Sequence, residues 1–322
     1  MNMFQIKKFS VLLVFAVLIF AGCSDNTTNP VPVKPPVPQP PKNIMATSID
    51  SMTVRLIWTA STSEDSSWFK DYVLVITSQS SGVLAPIYLS KTDNPIDIKN
   101  LNEGEIYTFQ LTSRNSELVE SAQATAVRWS PARRFDSFKL YETKSSYGSG
   151  LMLYDATSKG PLTYTIANSD KWDLALDTRE ISAGVESWDI GCPGLTSYTI
   201  SNPRNTLIII PNDSYKGVAS LDDVFDTEML NPTAQQLINF DTAIKGFVFA
   251  VKTQDGHFAK VLVKANNGVL LQGTKPNRYV ELDISYQTTT GVQFAKVNSG
   301  DEVQNIQNTS GIKVINVKKI AD

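Results

Sequence analysis

Few side chains in this sequence can bind a metal or act as nucleophiles: one histidine, two cysteines and six methionines among 322 residues. The histidine, His257, follows Asp255-Gly256, a dipeptide that marks a hairpin turn between apolar runs. It reads as an exposed turn residue, and no single chain can supply a second imidazole. Thioether donors in the second half of the chain are limited to Met152 and Met229. Met152 lies in Gly148-Ser-Gly-Leu-Met-Leu-Tyr154 and reads as core; Met229 ends a helix-like stretch. Cys192, in the turn-like Asp189-Ile-Gly-Cys-Pro-Gly194, lacks the nearby base that a nucleophilic thiol needs and reads as a buried structural thiol. There is no His-Glu-x-x-His or Cys-x-x-Cys pair for zinc, no glycine-rich phosphate loop and no Gly-x-Ser-x-Gly elbow. Asp222-Asp223 fits a helix start, where acids complement the dipole. The residue inventory therefore points to a binding protein and not to an enzyme.

Cys23 stands apart from these residues. A basic pair, Lys7-Lys8, precedes an apolar run from Val11 that closes on Ala21-Gly22-Cys23. Charged, apolar and small-residue regions in that order make a secretory signal. The run is too short for a comfortable membrane span of about 20 residues. Ala21-Gly22-Cys23 resembles the lipobox of bacterial lipoproteins. That resemblance implies cleavage before Cys23, lipidation of its thiol and anchorage in outer-membrane lipid, on the periplasmic face or the cell surface. Residues 1–22 are thus the signal peptide and 23–40 a proline-rich tether. The stretch Asn29 to Pro41 favours extended polyproline II. The formal net charge is −3, and Lys7 and Lys8 leave with the leader, so the mature chain is acidic. Nucleic acid, which wants clustered Lys and Arg, is not an expected partner.

Residues 41–134 alternate apolar and polar in short runs. Met52 to Trp58, Tyr72 to Thr77 and Ile106 to Thr112 are the clearest, with Ser, Asn, Gly and Pro between them. Such spacing predicts an antiparallel sandwich. Pro40-Pro41-Lys-Asn-Ile44, Trp58 and Leu101-Asn-Glu-Gly-Glu-Ile-Tyr107 resemble the opening strand, core tryptophan and tyrosine corner of a fibronectin type III domain.

Residues 135–322 continue as strands, among them Phe138 to Tyr141, Phe247 to Thr253, Phe258 to Val263 and Tyr279 to Ile284. Ser220 to Leu230, with an N-cap serine and early acids, and Pro232 to Ile238, opened by proline, predict two short helices. The expected fold class is all-β and mostly antiparallel: a fibronectin type III sandwich followed by a β-rich domain with a small helical insertion.

Two segments of that second domain carry a further resemblance: Lys171-Trp-Asp-Leu-Ala-Leu176, and Phe247 to Val261 around Thr253, Asp255-Gly256 and Ala259-Lys260. Together they resemble the HmuY-like lipoproteins, haem-capturing proteins of Gram-negative bacteria, over about residues 140–298. The resemblance implies an apolar site for haem held by two axial ligands, a histidine pair or methionines. Where one family ligand is expected, this chain reads Asp177-Thr-Arg179. His257, Met152 and Met229 remain as candidate donors, with Tyr147, Tyr154, Tyr198 and Tyr215 as candidate lining. Trp172 and Phe258 read as core, and Asp173 as an acceptor of backbone hydrogen bonds. Two readings follow: a lipoprotein that captures haem or another apolar ligand, or a surface protein that binds a glycan or a protein through its second domain with the fibronectin module as spacer. Surface aromatics beside Asn or Asp would mark the glycan case.

Overall fold

In the computed structural model the described residues are 33–209, 217–224, 232–293 and 312–317. The leader 1–22, Cys23, Tyr215 and Met229 lie outside them.

The alternating runs of the first segment form eight strands. These are β1 (Lys42–Asp50), β2 (Thr53–Thr59), β3 (Phe69–Ser78), β4 (Gly82–Val83), β5 (Ile87–Leu89), β6 (Ile96–Lys99), β7 (Tyr107–Asn115) and β8 (Thr125–Trp129). β1, β2 and β6 pair in that order in one sheet; β3 pairs with β4, β5 and β7, and β7 with β8, in the other. Val54, Leu56 and Trp58 point one way along β2, and Leu74, Ile76, Phe109 and Leu111 answer from the facing sheet. Trp58 meets Tyr72 edge-on, with ring centroids 5.7 Å apart. The tyrosine corner forms as the sequence implies: the Asn102 amide donates to the Tyr107 hydroxyl at 2.9 Å, and Gly104 turns the chain at φ +77°. This is a sandwich of fibronectin type III-like fold. Tyr107→Phe is expected to cost about 1 kcal/mol, the usual net worth of one buried hydrogen bond, read as a lower urea midpoint with unchanged slope.

The second segment is also a sandwich. Its strands are β9 (Arg133–Tyr141), β10 (Gly150–Asp155), β11 (Gly160–Tyr164), β12 (Leu174–Ser182), β13 (Val185–Gly191), β14 (Leu207–Ile209), β15 (Leu237–Asn239), β16 (Phe247–Lys252), β17 (Phe258–Lys264) and β18 (Tyr279–Tyr286). One five-stranded sheet runs β11-β10-β12-β13-β15 and the other β14-β16-β17-β18-β9. Leu151, Leu174, Leu176 and Ile190 of the first pack on Phe249, Val261, Val263 and Leu282 of the second. The Asp255-Gly256 hairpin joins β16 to β17, with Gly256 at φ +80°.

The helical insertion is smaller than expected. Ser220 caps as read, its hydroxyl accepting from the Asp222 amide at 3.1 Å, but the helix is one 3-10 turn, Leu221–Asp223. Residues 225–231 lie outside the described residues. Pro232 to Ile238 is not a helix: it runs extended into β15, because Ile238 pairs with Ile190 and Asn239 with Asp189. The long-range ladder outweighs the local proline signal.

A last strand, β19 (Lys313–Asn316), pairs with β6, so this part of 135–322 joins the first sandwich. The passage from β8 to β9 is short and buried: Ser130, Pro131 and Ala132 are all inside. Gln287 Nε2 donates to the carbonyls of Ser130 (3.2 Å) and Pro131 (2.9 Å). Arg134 Nη1 donates to Ser48 O (3.0 Å) and Asp222 Oδ1 (2.9 Å). Arg133 pairs with Glu103 of the tyrosine-corner loop at 2.7 Å.

Candidate functional site

Of the candidate donors and lining residues that are described, only His257 and Tyr154 are brought to a shared contact, the Tyr286 ring. His257 is not an exposed turn residue but half-buried, stacked on Tyr286 with centroids 5.5 Å apart. Its Nδ1 lies 3.0 Å from the Gln287 carbonyl. A carbonyl only accepts, so Nδ1 donates to it, and Nε2 lies 3.3 Å from Thr290 Oγ1, a hydroxyl that can take either role. Both ring nitrogens are engaged, and iron ligation would have to break one of these bonds. Met152 is half-buried on β10, on the side opposite the core residues Leu151 and Leu153. Tyr154 stacks on Tyr286 at 5.2 Å; Tyr198 meets Trp172 edge-on and donates to Leu176 O; Tyr147 is elsewhere, on the surface. The described donors and aromatics thus do not form a two-faced haem pocket.

Asp177, Asp173 and Cys192 are each tied into the fold by hydrogen bonds. Fully buried Asp177 accepts from the Ser197 amide and hydroxyl and from Arg179. Asp173 accepts from the Leu153 amide at 2.9 Å and from Arg204 at 2.9 Å; burial pushes its carboxyl pKa up despite the guanidinium beside it. Cys192 is buried with its thiol pushed up to about 11, and it donates to Thr206 O. Among the described residues no group of three His, Cys, Asp or Glu side chains is placed to hold a metal ion. A cavity between Gly217–Ala219 and Ile244–Gly246 holds about 250 Å³, below the roughly 300–1,000 Å³ of ordinary ligand pockets.

The arrangement that stands out is a surface cluster of tyrosines. β9 is the edge strand of its sheet and pairs with β18, setting Tyr141 opposite Tyr279 and Lys139 opposite Glu281. Leu140 and Val280 between them point into the core, so strand alternation turns Tyr141, Tyr279 and Lys139 outward. The chain after β9 folds back: the Ser145 amide donates to Glu142 O, and the Tyr141 amide to Gly148 O at 3.3 Å. Gly148, at φ +98°, sits where a Cβ would meet the Tyr164 backbone at 2.6 Å. This return lays Tyr147 on Tyr141, with centroids 4.8 Å apart, and Tyr141 lies 5.8 Å from Tyr279. Lys139 Nζ sits 4.3 Å above the Tyr279 ring. Tyr147 is 59% exposed. Asn277 rims the cluster, its Oδ1 accepting from Ser145 Oγ at 2.8 Å. Beside it Arg278 bridges Glu142 (2.6 Å) and Glu186 (2.9 Å).

Sequence reading found Tyr147 but missed Tyr141, Tyr279, Lys139 and Asn277. The alternation in β9 and β18 was the available signal; the pairing that makes one surface of them is not visible locally.

No protein-family model and no curated protein matches the chain. Solved structures similar to it include fibronectin type III domains. The FN5 domain of Drosophila Lar is 15% identical, with 30% of this chain and 98% of that chain covered and a TM-score of 0.22. The central fibronectin-III array of RIM-binding protein is 9% identical, covering 82% of this chain and 97% of that one, at TM-score 0.23. The FN1–FN3 domains of chicken CNTN1 are 10% identical, covering 84% and 90%, at TM-score 0.23.

Proposed function

We propose that the chain is a non-enzymatic surface-interaction protein, lipid-anchored through Cys23 outside the cytoplasm, whose second sandwich binds carbohydrate on the Tyr141–Tyr147–Tyr279 surface. The surface tyrosine cluster, Tyr147 exposed and Tyr141 and Tyr279 half-buried, beside the Asn277 carboxamide carries this reading. Pyranose rings present C–H faces that pack on aromatic rings, while their hydroxyls seek phenol, amide and ammonium partners. Among the described residues the three phenol hydroxyls and the Asn277 side-chain Nδ2 make no hydrogen bond, and Lys139 stands beside them. Tyrosine supplies contact area at low conformational cost. The leader and the proline-rich tether support display on a lipid surface. Haem capture, which the family resemblance implies, gains nothing from His257 and Met152 as placed; Met229 lies outside the described residues.

The test is a tyrosine ultraviolet difference spectrum of residues 24–322 titrated with soluble xylan, dextran and polygalacturonate. A saturable tyrosine difference with at least one of them is expected, and Tyr147→Ala should weaken it about tenfold, as loss of a well-packed aromatic contact does. No spectral change with any, or an unchanged response in Tyr147→Ala, would overturn the reading.

A further inference from the structure

Strand β6 would be an open edge of the first sandwich. β19 closes it from outside the fibronectin segment. The pairing is parallel, Lys313↔Ile96, Val314↔Asp97, Ile315↔Ile98 and Asn316↔Lys99, and the Val317 amide extends it by donating to Lys99 O at 3.0 Å. Among the described residues every other strand pair is antiparallel. Side chains give the strand an address. Ile315 and Val317 pack against the first core; Lys313 Nζ pairs with Asp93 Oδ2 at 2.6 Å; Asn100 Nδ2 lies 3.4 Å from Asn316 Oδ1. The hold is shallow, because Lys313, Val314 and Asn316 stay exposed. No reverse turn ties β19 to β6, and residues 294–311 separate it from the second sandwich, a stretch with a reach of about 60 Å at full extension.

We propose that the β6 edge is a strand-addition site whose resident, Lys313–Val317, exchanges with the same segment of a second copy of this chain. An added strand is recognised through main-chain hydrogen bonds along the edge and pockets for alternate side chains. A second copy offers the same backbone, the same Ile315 and Val317 and the same Lys313, so exchange conserves every contact and alters only the covalent path. The consequence is head-to-tail linkage of neighbouring copies, which crowding on a membrane would favour. This inference does not depend on the carbohydrate reading.

Two singly substituted proteins, each residues 24–322, test it. One carries Asn100→Cys and the other Asn316→Cys; the remaining thiol, Cys192, is buried in both. Neither can bridge the β6–β19 contact within one chain. After mixing and mild oxidation, a disulfide-linked heterodimer is the expected product. Adding Ile315→Asp to the donor should cut its yield about tenfold or more, because a carboxylate would be driven into the apolar seat. Heterodimer formed equally well by the Ile315→Asp donor would reflect random collision, and no heterodimer would mean the strand stays in its own chain; either result overturns the proposal. Circular dichroism of each variant confirms that the fold is intact before mixing.

Discussion

Arg278→Ala is expected to destabilise the second sandwich by about 3–5 kcal/mol, the usual cost of removing one partner from a buried ion pair. Arg278 donates to Glu142 from Nε (2.9 Å) and Nη2 (2.6 Å), and its amide takes the other Glu142 oxygen at 2.7 Å. Glu142 is 4% exposed, so its charge would lose its main partner without gaining water. The same guanidinium reaches Glu186 on β13, joining three separate parts of the chain at one end of the sandwich. Charge-assisted, two-pronged bonds of this kind are the strong ones. Glu186 also adds a pH signature. Arg278, then Lys275, hold its carboxyl down from 4.5 to about 2. A carboxyl lowered in the folded state contributes stability above its unfolded pKa and loses it as pH falls through the folded one. Wild-type stability should therefore drop between about pH 4.5 and 2, and in Arg278→Ala the drop should be shallower, since only Lys275 and the Trp188 indole N–H then hold the carboxyl down. Urea midpoints across that range measure both effects.

Gly150→Ala is expected to cost at least as much, about 3 kcal/mol or more, or to prevent folding. Gly150 opens β10 directly beneath Trp172, and a Cβ there would stand 1.9 Å from two atoms of the indole ring. Trp172 has no room to retreat: it is fully buried, and Tyr198 stands against it at 5.2 Å. Overpacking a tight core typically costs about 1–3 kcal/mol, and more where the neighbour is rigid. Trp172→Phe in the same chain should recover part of the loss, because the smaller ring leaves space for the methyl. Thermal midpoints of the single and double variants decide it; an additive, unrescued loss would mean the clash lies elsewhere.

How far the fold was legible follows from the range of the interactions involved. β2, β3 and β7 show alternation, Leu101 to Tyr107 carries its corner in local spacing, and Asp255-Gly256 announces its own turn. Ser220 as a cap is also a local fact, and so is the burial of Cys192. The misreadings are all cases where a distant strand decides. Pro232 to Ile238 has a helix-like opening, but β13 offers a ladder. His257 sits in a turn, yet Tyr286 and Gln287 arrive from β18 and its end to cover it. Met152 reads as core because β10 is apolar, while its alternation faces it away from Leu151 and Leu153. The tyrosine surface was hidden for the same reason: Tyr141 and Tyr279 face each other across a pairing that no window of sequence contains, and the Gly148 return brings Tyr147 onto them. Lys313–Asn316 gives no local hint that it belongs to the first sheet.

The most direct test of the carbohydrate surface is affinity electrophoresis of residues 24–322 through native gels containing xylan, dextran or polygalacturonate, run beside Tyr147→Ala and Tyr141→Ala/Tyr279→Ala. The account predicts that at least one polysaccharide retards the wild type, that both variants migrate nearly as in the empty gel, and that their circular dichroism is unchanged. Wild-type mobility unaffected by all three, or variants retarded as strongly as the wild type, would contradict it.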